Sequence, residues 1–129
     1  MGARLLLEWL LSPLTDRGGI AARQDAIAEL LDDHGRRGEV RSLLAEAFDL
    51  QRLTARVSTG RASPRDLGSV RATLALLPAL RYRLEGRRSP LLRDLERRLD
   101  ACPDLREVLE KALVESPPLS PREGGIFRD

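Results

Sequence analysis

Very few side chains in this sequence are of a type and spacing that could carry out chemistry. Its 129 residues hold one histidine, His34, one cysteine, Cys102, and one lysine, Lys111. A catalytic triad built on Ser12, Ser58, Ser63 or Ser89 would need His34 as its base, and none of the four stands in a local motif with it. His34 and Cys102 lie too far apart in sequence to form a paired metal-ligand motif, and a lone cysteine makes no internal disulfide. Cys102, set between Ala101 and Pro103 at a helix end, reads as a small apolar residue. Lys111 follows no glycine-rich loop, so no phosphate cradle is encoded around it. Asp32 and Asp33 are neighbours, and adjacent side chains on a helix diverge, which makes them a solvated helix end rather than an acid–base pair. On its own residues the chain is not an enzyme, and it implies no metal and no cofactor.

What remains is charge. Residues 1–50 carry six arginines against nine acids, residues 51–98 twelve arginines against four acids, and residues 99–129 four bases against seven acids. The net charge of +2 therefore conceals a basic middle third. Such a block can face phosphates or an acidic partner. The plainer account makes these arginines the solvated sides of amphipathic helices, their long stems covering apolar surface. No aromatic residues alternate with them to stack on bases, and they recur at many helical angles, which favours the plainer account.

The elements that must carry these residues are helices. Leucine supplies 26 residues and aromatics 3%, a balance that suits helix packing and starves strands of the residues they prefer. The clearest local signal is Asp49–Leu67. Leu50, Leu53 and Val57 share one helical face, Ser58-Thr59-Gly60 stops that helix, and Ser63-Pro64-Arg65-Asp66 starts another with a capping serine and a proline at the first helical position. Upstream, Gly2–Leu11 is apolar nearly all round and is expected to be buried on most of its circumference before Pro13 ends it. Asp16 caps a second helix with Ile20, Ile27, Leu30 and Leu31 inside, Arg23, Gln24 and Glu29 outside, and His34-Gly35 as its stop. Val40, Leu43, Leu44 and Ala47 mark a third, ending near Phe48, after which Asp49 caps the fourth.

Downstream of the joint, Leu67, Val70, Leu74 and Leu77 form a stripe as far as Pro78, where the helix should kink or restart before Leu80 and Leu84 carry it to Gly86. Ser89-Pro90 repeats the serine–proline start for a helix bearing Leu92, Leu95 and Leu99. Asp104–Glu115 is the last helix, with Leu105, Val108, Leu109, Ala112 and Leu113 on its stripe, and Pro117-Pro118 beyond it. Gly124-Gly125 then turns into Ile126-Phe127, which reads as the beginning of a strand. The whole is an all-α stack of about seven helices in one domain, with both ends reading as cut. No apolar run is long enough for a membrane span or a signal peptide, so the expected location is the cytoplasm.

Taken in order, a series of short stretches resembles the core, or lever, domain (domain III) of the MutS family of DNA mismatch-repair proteins. The series begins with Met1-Gly2-Ala3-Arg4-Leu5-Leu6, Trp9-Leu10 and Pro13-Leu14, and continues through Ile20, Arg23 and Leu30-Leu31. Asp49-Leu50, Arg52-Leu53 and Arg56 follow, then Gly60-Arg61-Ala62-Ser63-Pro64-Arg65-Asp66-Leu67 and Leu77-Pro78-Ala79-Leu80. It closes with Pro117-Pro118 and Arg122-Glu123-Gly124-Gly125-Ile126. The likeness covers the chain from end to end; Gln51 departs from it, standing where the family usually has an acid.

The resemblance implies that residues 1–129 are a partial core/lever domain, incomplete at both ends, from a parent protein whose mismatch-binding, clamp and ATPase domains lie elsewhere. It implies a parent that is a homodimeric clamp on mismatched duplex DNA and that binds ATP and magnesium outside this segment. The segment's partners would be the parent's remaining domains, with DNA engaged through the parent and no membrane involved. Its helices would couple ATP-driven changes to the DNA clamp. By the same resemblance Asp49, Arg52, Arg61, Ser63, Pro64, Arg65 and Asp66 hold a structural joint by capping and charge pairing. Backbone contact by Arg61 or Arg65 is the sharper alternative, and in the family direct DNA contacts belong mainly to other domains. Two rival readings are a free-standing helical adaptor that binds a protein through exposed leucine stripes, and a small arginine-rich nucleic-acid binder.

Overall fold

A computed structural model describes residues 2–128. They form seven α-helices, α1 Ala3–Leu11, α2 Arg17–Asp32, α3 His34–Glu46, α4 Leu50–Ser58, α5 Pro64–Leu84, α6 Pro90–Arg98 and α7 Pro103–Ala112, followed by a 3-10 turn, η1, at Pro121–Glu123. Among the described residues the one strand-like pairing is an antiparallel bridge between Leu113 and Phe127. The fold is all-α, and the strand-like tail amounts to that bridge.

Short-range chemistry sets the helix starts. Carboxylates of Asp16, Asp33 and Asp49 accept hydrogen bonds from the backbone N–H of Gly19, Arg36 and Arg52 at 2.6, 3.0 and 3.0 Å, satisfying donors that a helix N-terminus leaves unpaired. Asp33 corrects the expected end of α2. Because this residue both closes α2 and caps α3, His34-Gly35 opens the third helix instead of stopping the second. Pro78 does not split its helix either: α5 continues through it to Leu84, although the proline lacks the N–H that would reach the Leu74 carbonyl. The last helix is shorter than its stripe, since Leu113 turns to an extended conformation, φ −90° and ψ 140°.

The chain divides into two compact units, each made of two segments. One joins residues 1–45 with 78–100, the other 46–77 with 101–129, and the division inside α5 falls between Leu77 and Pro78. In the first unit Ala26, Leu84 and Leu92 form the buried core, with Leu30, Leu91 and Leu99 packed on it. Polar ties surround this core. Glu29, expected on the outer face of α2, accepts from the backbone N–H of Arg88 at 2.8 Å and of Ser89 at 2.7 Å, capping α6 from another helix. The Ser89 hydroxyl is thereby displaced from the role that its serine–proline sequence suggests, and it is buried without a hydrogen-bond partner among the described residues. Arg87 pairs with Asp33 at 3.2 Å, Arg83 with Glu39 at 2.9 Å and Arg81 with Glu96 at 2.7 Å.

The expectation that α1 is buried does not hold. All of Leu5, Leu6, Leu7, Leu10 and Leu11 are exposed, Leu11 by 75%, and Trp9 is exposed too, although the Arg23 guanidinium stacks 3.5 Å from its ring centre. A helix apolar on every side needs neighbours on every side, and the described residues bury none of its side chains.

In the second unit Leu53, Thr73, Leu74 and Leu113 are buried, as are Pro64 and Pro117. Gly68 lets Pro117 lie directly on α5. A Cβ at that position would come within 3.2 Å of the proline ring, so a side chain there would require the ring to give way by a few tenths of an ångström.

Candidate functional site

The joint between α4 and α5 lies wholly within the second unit and is built from both sides of its turn. Gly60 adopts φ +68°, a left-handed conformation that costs glycine nothing. With it there, Gly60 N–H reaches the Val57 carbonyl at 3.0 Å and Arg61 N–H reaches the Arg56 carbonyl at 2.8 Å, the paired bonds of a Schellman stop. Thr59 adds its hydroxyl to the Ala55 carbonyl at 2.9 Å. Across the turn, Ser63 and Asp66 cap each other. The Ser63 backbone N–H and hydroxyl donate to Asp66 Oδ2 at 2.7 and 2.8 Å, while Asp66 N–H donates to Ser63 Oγ at 3.2 Å. Pro64 occupies the first helical position, where a missing N–H loses nothing.

One side chain ties the two halves together. Arg56, in the last turn of α4, places Nη2 3.1 Å from Asp66 Oδ2 and 3.4 Å from the Arg61 carbonyl. The Ser63 backbone N–H holds the Asp66 carboxyl below the usual carboxylate range; partial burial opposes this, and the Ser63 hydroxyl, Arg56 and Arg52 reinforce it. At the other end of the hairpin, the buried Thr73 hydroxyl accepts from Phe48 N–H at 3.0 Å and donates to the Ser69 carbonyl at 2.9 Å. The α4–α5 pair is thus pinned near both ends.

The joint residues read from sequence fall into two groups. Asp49, Ser63, Pro64 and Asp66 are the cap residues of α4 and α5, and Arg52 gives its N–H to Asp49. Arg61 and Arg65 are exposed, and among the described residues neither side chain has an ion-pair partner. Charge pairing at the corner therefore comes from Arg56, which the sequence had placed in the series without a role. Its signal is legible afterwards: a basic residue in the last turn of one helix, followed by an acid at the third position of the next. Thr73 and Arg71 carried no comparable signal, because Thr73 reaches the Phe48 N–H and Arg71 the carbonyls of Leu113, Val114 and Glu115, all distant in sequence. The site holds no convergent set of three histidine, cysteine, aspartate or glutamate side chains among the described residues. Its chemistry is that of a fixed corner.

A family model described as MutS domain III matches residues 1–129. The chain belongs to that family. It is similar over its whole length, at 45% identity, to DNA mismatch repair protein MutS of Rhodopirellula baltica and to DNA mismatch repair protein MutS 2 of Haloarcula marismortui, covering 14% of each. A further relative, DNA mismatch repair protein MutS of Symbiobacterium thermophilum, is 43% identical over 129 residues and is covered to 15%. The chain therefore spans about one-seventh of the length of these MutS relatives. No helix among the described residues is long and apolar enough to cross a membrane.

Proposed function

We propose that this MutS domain III segment is the lever of a MutS-type DNA mismatch repair protein, passing ATP-driven changes to a DNA clamp. The observation that carries the reading is the family match across all 129 residues, joined to 45% identity with a protein named for DNA mismatch repair. In this reading the partners are the remaining domains of the parent chain, a homodimer mate and mismatched duplex DNA held by the parent, in the cytoplasm. ATP and magnesium act in the parent's nucleotide-binding domain, and this segment performs no catalysis. A lever must hold its corners, because a rigid rod converts rotation at one end into displacement at the other. The capped and ion-paired α4–α5 joint has the character such a part needs, and four of the basic block's twelve arginines, Arg83, Arg87, Arg56 and Arg81, form internal pairs with Glu39, Asp33, Asp66 and Glu96.

The test replaces the matched segment of the Rhodopirellula baltica protein with these 129 residues and expresses the chimera in a strain lacking its own MutS. Restoration of a low spontaneous mutation frequency is expected. A chimera that is made in normal amount and still leaves the mutation frequency high counts against the reading. In the same chimera, Asp66→Asn combined with Arg56→Gln should leave mismatch binding in place and slow ATP-provoked release from the duplex. Exposure of Arg61 and Arg65 keeps one second reading open, a contact with the DNA backbone. If it holds, substituting both by glutamine lowers the salt sensitivity of binding by about two counterions, whereas an unchanged salt slope assigns them to the solvated face.

A further inference from the structure

The tail after α7 returns along α5, and its polar attachments there converge on one side chain. Arg71 Nη1 donates to the carbonyls of Leu113 at 3.1 Å and Val114 at 2.9 Å, and Nη2 donates to the Glu115 carbonyl at 2.7 Å. These are the carbonyls at and just beyond the C-terminus of α7, where the helix leaves acceptors unpaired and its dipole is negative. A guanidinium fork suits three successive acceptors in a way that an ammonium does not. The segment so held is a closed strap. Val114 N–H binds the Ile126 carbonyl at 3.1 Å, Arg128 N–H binds the Ala112 carbonyl at 2.9 Å, and Arg128 Nε adds a second donor to the Leu113 carbonyl at 2.7 Å. Leu113, its first residue, is 1% exposed, Pro117 sits on Gly68, and Ser120 and Glu123 cap η1 within it.

We infer that Arg71 is a latch on residues 113–128: when it lets go, the strap leaves α5 and its own pairing with Ile126 and Ala112 opens in the same event, while the α4–α5 corner stays formed. Two separate sets of bonds make this possible. The corner depends on Arg56, Ser63, Asp66 and Thr73, the strap on Arg71 and Arg128, and no residue in those hydrogen bonds serves both. Sub-global opening follows such boundaries, because elements that share few bonds open independently. The latch is a property of this chain alone and does not depend on the lever reading.

The test is hydrogen exchange on the full 129-residue chain. Val114 and Arg128 amides report the strap, and Leu53, Asp66 and Leu67 amides report the corner. In the unmodified chain at low urea, Val114 and Arg128 are expected to open together with one free energy, smaller than that of the corner amides. Arg71→Met should speed exchange at both strap amides about tenfold or more and leave the corner amides within about twofold. Arg71→Lys should fall between the two chains. Strap and corner amides that accelerate together, or strap amides that do not respond to Arg71→Met, overturn the proposal. Should Arg71→Met fail to fold, the unmodified chain decides: Val114 and Arg128 exchanging only with global unfolding, or with unlike free energies, overturns it equally.

Discussion

Two serine–proline helix starts, alike in that dipeptide and unlike at the third helical position, where one has Asp66 and the other Leu92, have opposite chemistry at the residue scale. Ser63 uses its hydroxyl twice, accepting from Asp66 N–H and donating to Asp66 Oδ2, whereas the Ser89 hydroxyl is buried with no partner among the described residues, Glu29 having taken the N–H groups of that helix start. Ser63→Ala is therefore expected to lower stability by about 1 kcal/mol, the usual cost of a lost N-cap. Ser89→Ala, which removes a polar group that burial leaves unsatisfied, is expected to be neutral or stabilising. Urea unfolding of the two variants beside the parent chain measures this, and equal losses in both would contradict the distinction. The pair also marks how far sequence reading reaches. Caps such as Asp16, Asp49 and Ser63 are legible because donor and acceptor are neighbours in the chain, whereas the equally local Asp33 cap is missed because one residue both ends α2 and starts α3. The same reasoning fails at Ser89 and at Glu29, where the decisive partner arrives from another helix and no local pattern announces it.

Elements in this fold are fastened by carboxylates acting on backbone N–H groups, and that makes their stability depend on pH. The Arg36 N–H holds Asp33 below the usual carboxylate range against opposing burial, with Arg87 and Arg36 charges adding to it. For Glu29, burial pushes upward, but the backbone N–H groups of Arg88 and Ser89 together with Arg87 and Arg88 outweigh it, and the net direction is again downward. Asp66 shifts the same way at the joint. A carboxyl whose folded value is depressed contributes its stabilisation fully above the unfolded value and loses it as pH falls through the folded one. The urea midpoint should therefore show no loss from these groups between pH 7 and about 5, then fall steeply below about pH 4. Asp66→Asn should remove part of that acid-side fall, and a variant whose acid limb matches the parent's would dissociate Asp66 from it. Helix number and the order of stripes were readable because 3.6-residue periodicity is local. The uninterrupted course of α5 through Pro78 was not, because packing around a helix can override the local cost of a proline.

At the scale of the whole molecule the informative disagreement is α1. Its leucines demanded burial by composition, and the described residues leave Leu6 57%, Leu10 70% and Leu11 75% exposed, with Ile27 and Leu31 of α2 also uncovered. Exposed apolar side chains in this number favour association in water, because removing them from solvent is favourable in proportion to their area. The 129-residue chain is thus expected to self-associate as its concentration rises, which sedimentation velocity over a concentration series would reveal. Leu6→Glu combined with Leu10→Glu should shift the population toward monomer. Since both residues are exposed, the melting temperature should stay within about 2–3 °C of the parent's. The two readouts separate the possible outcomes. A large drop in melting temperature would mean that α1 packs inward in solution, as its composition demands. A monomer at every concentration, melting sharply and reversibly before any substitution, would mean that the exposed leucines do not govern the behaviour of the chain at all.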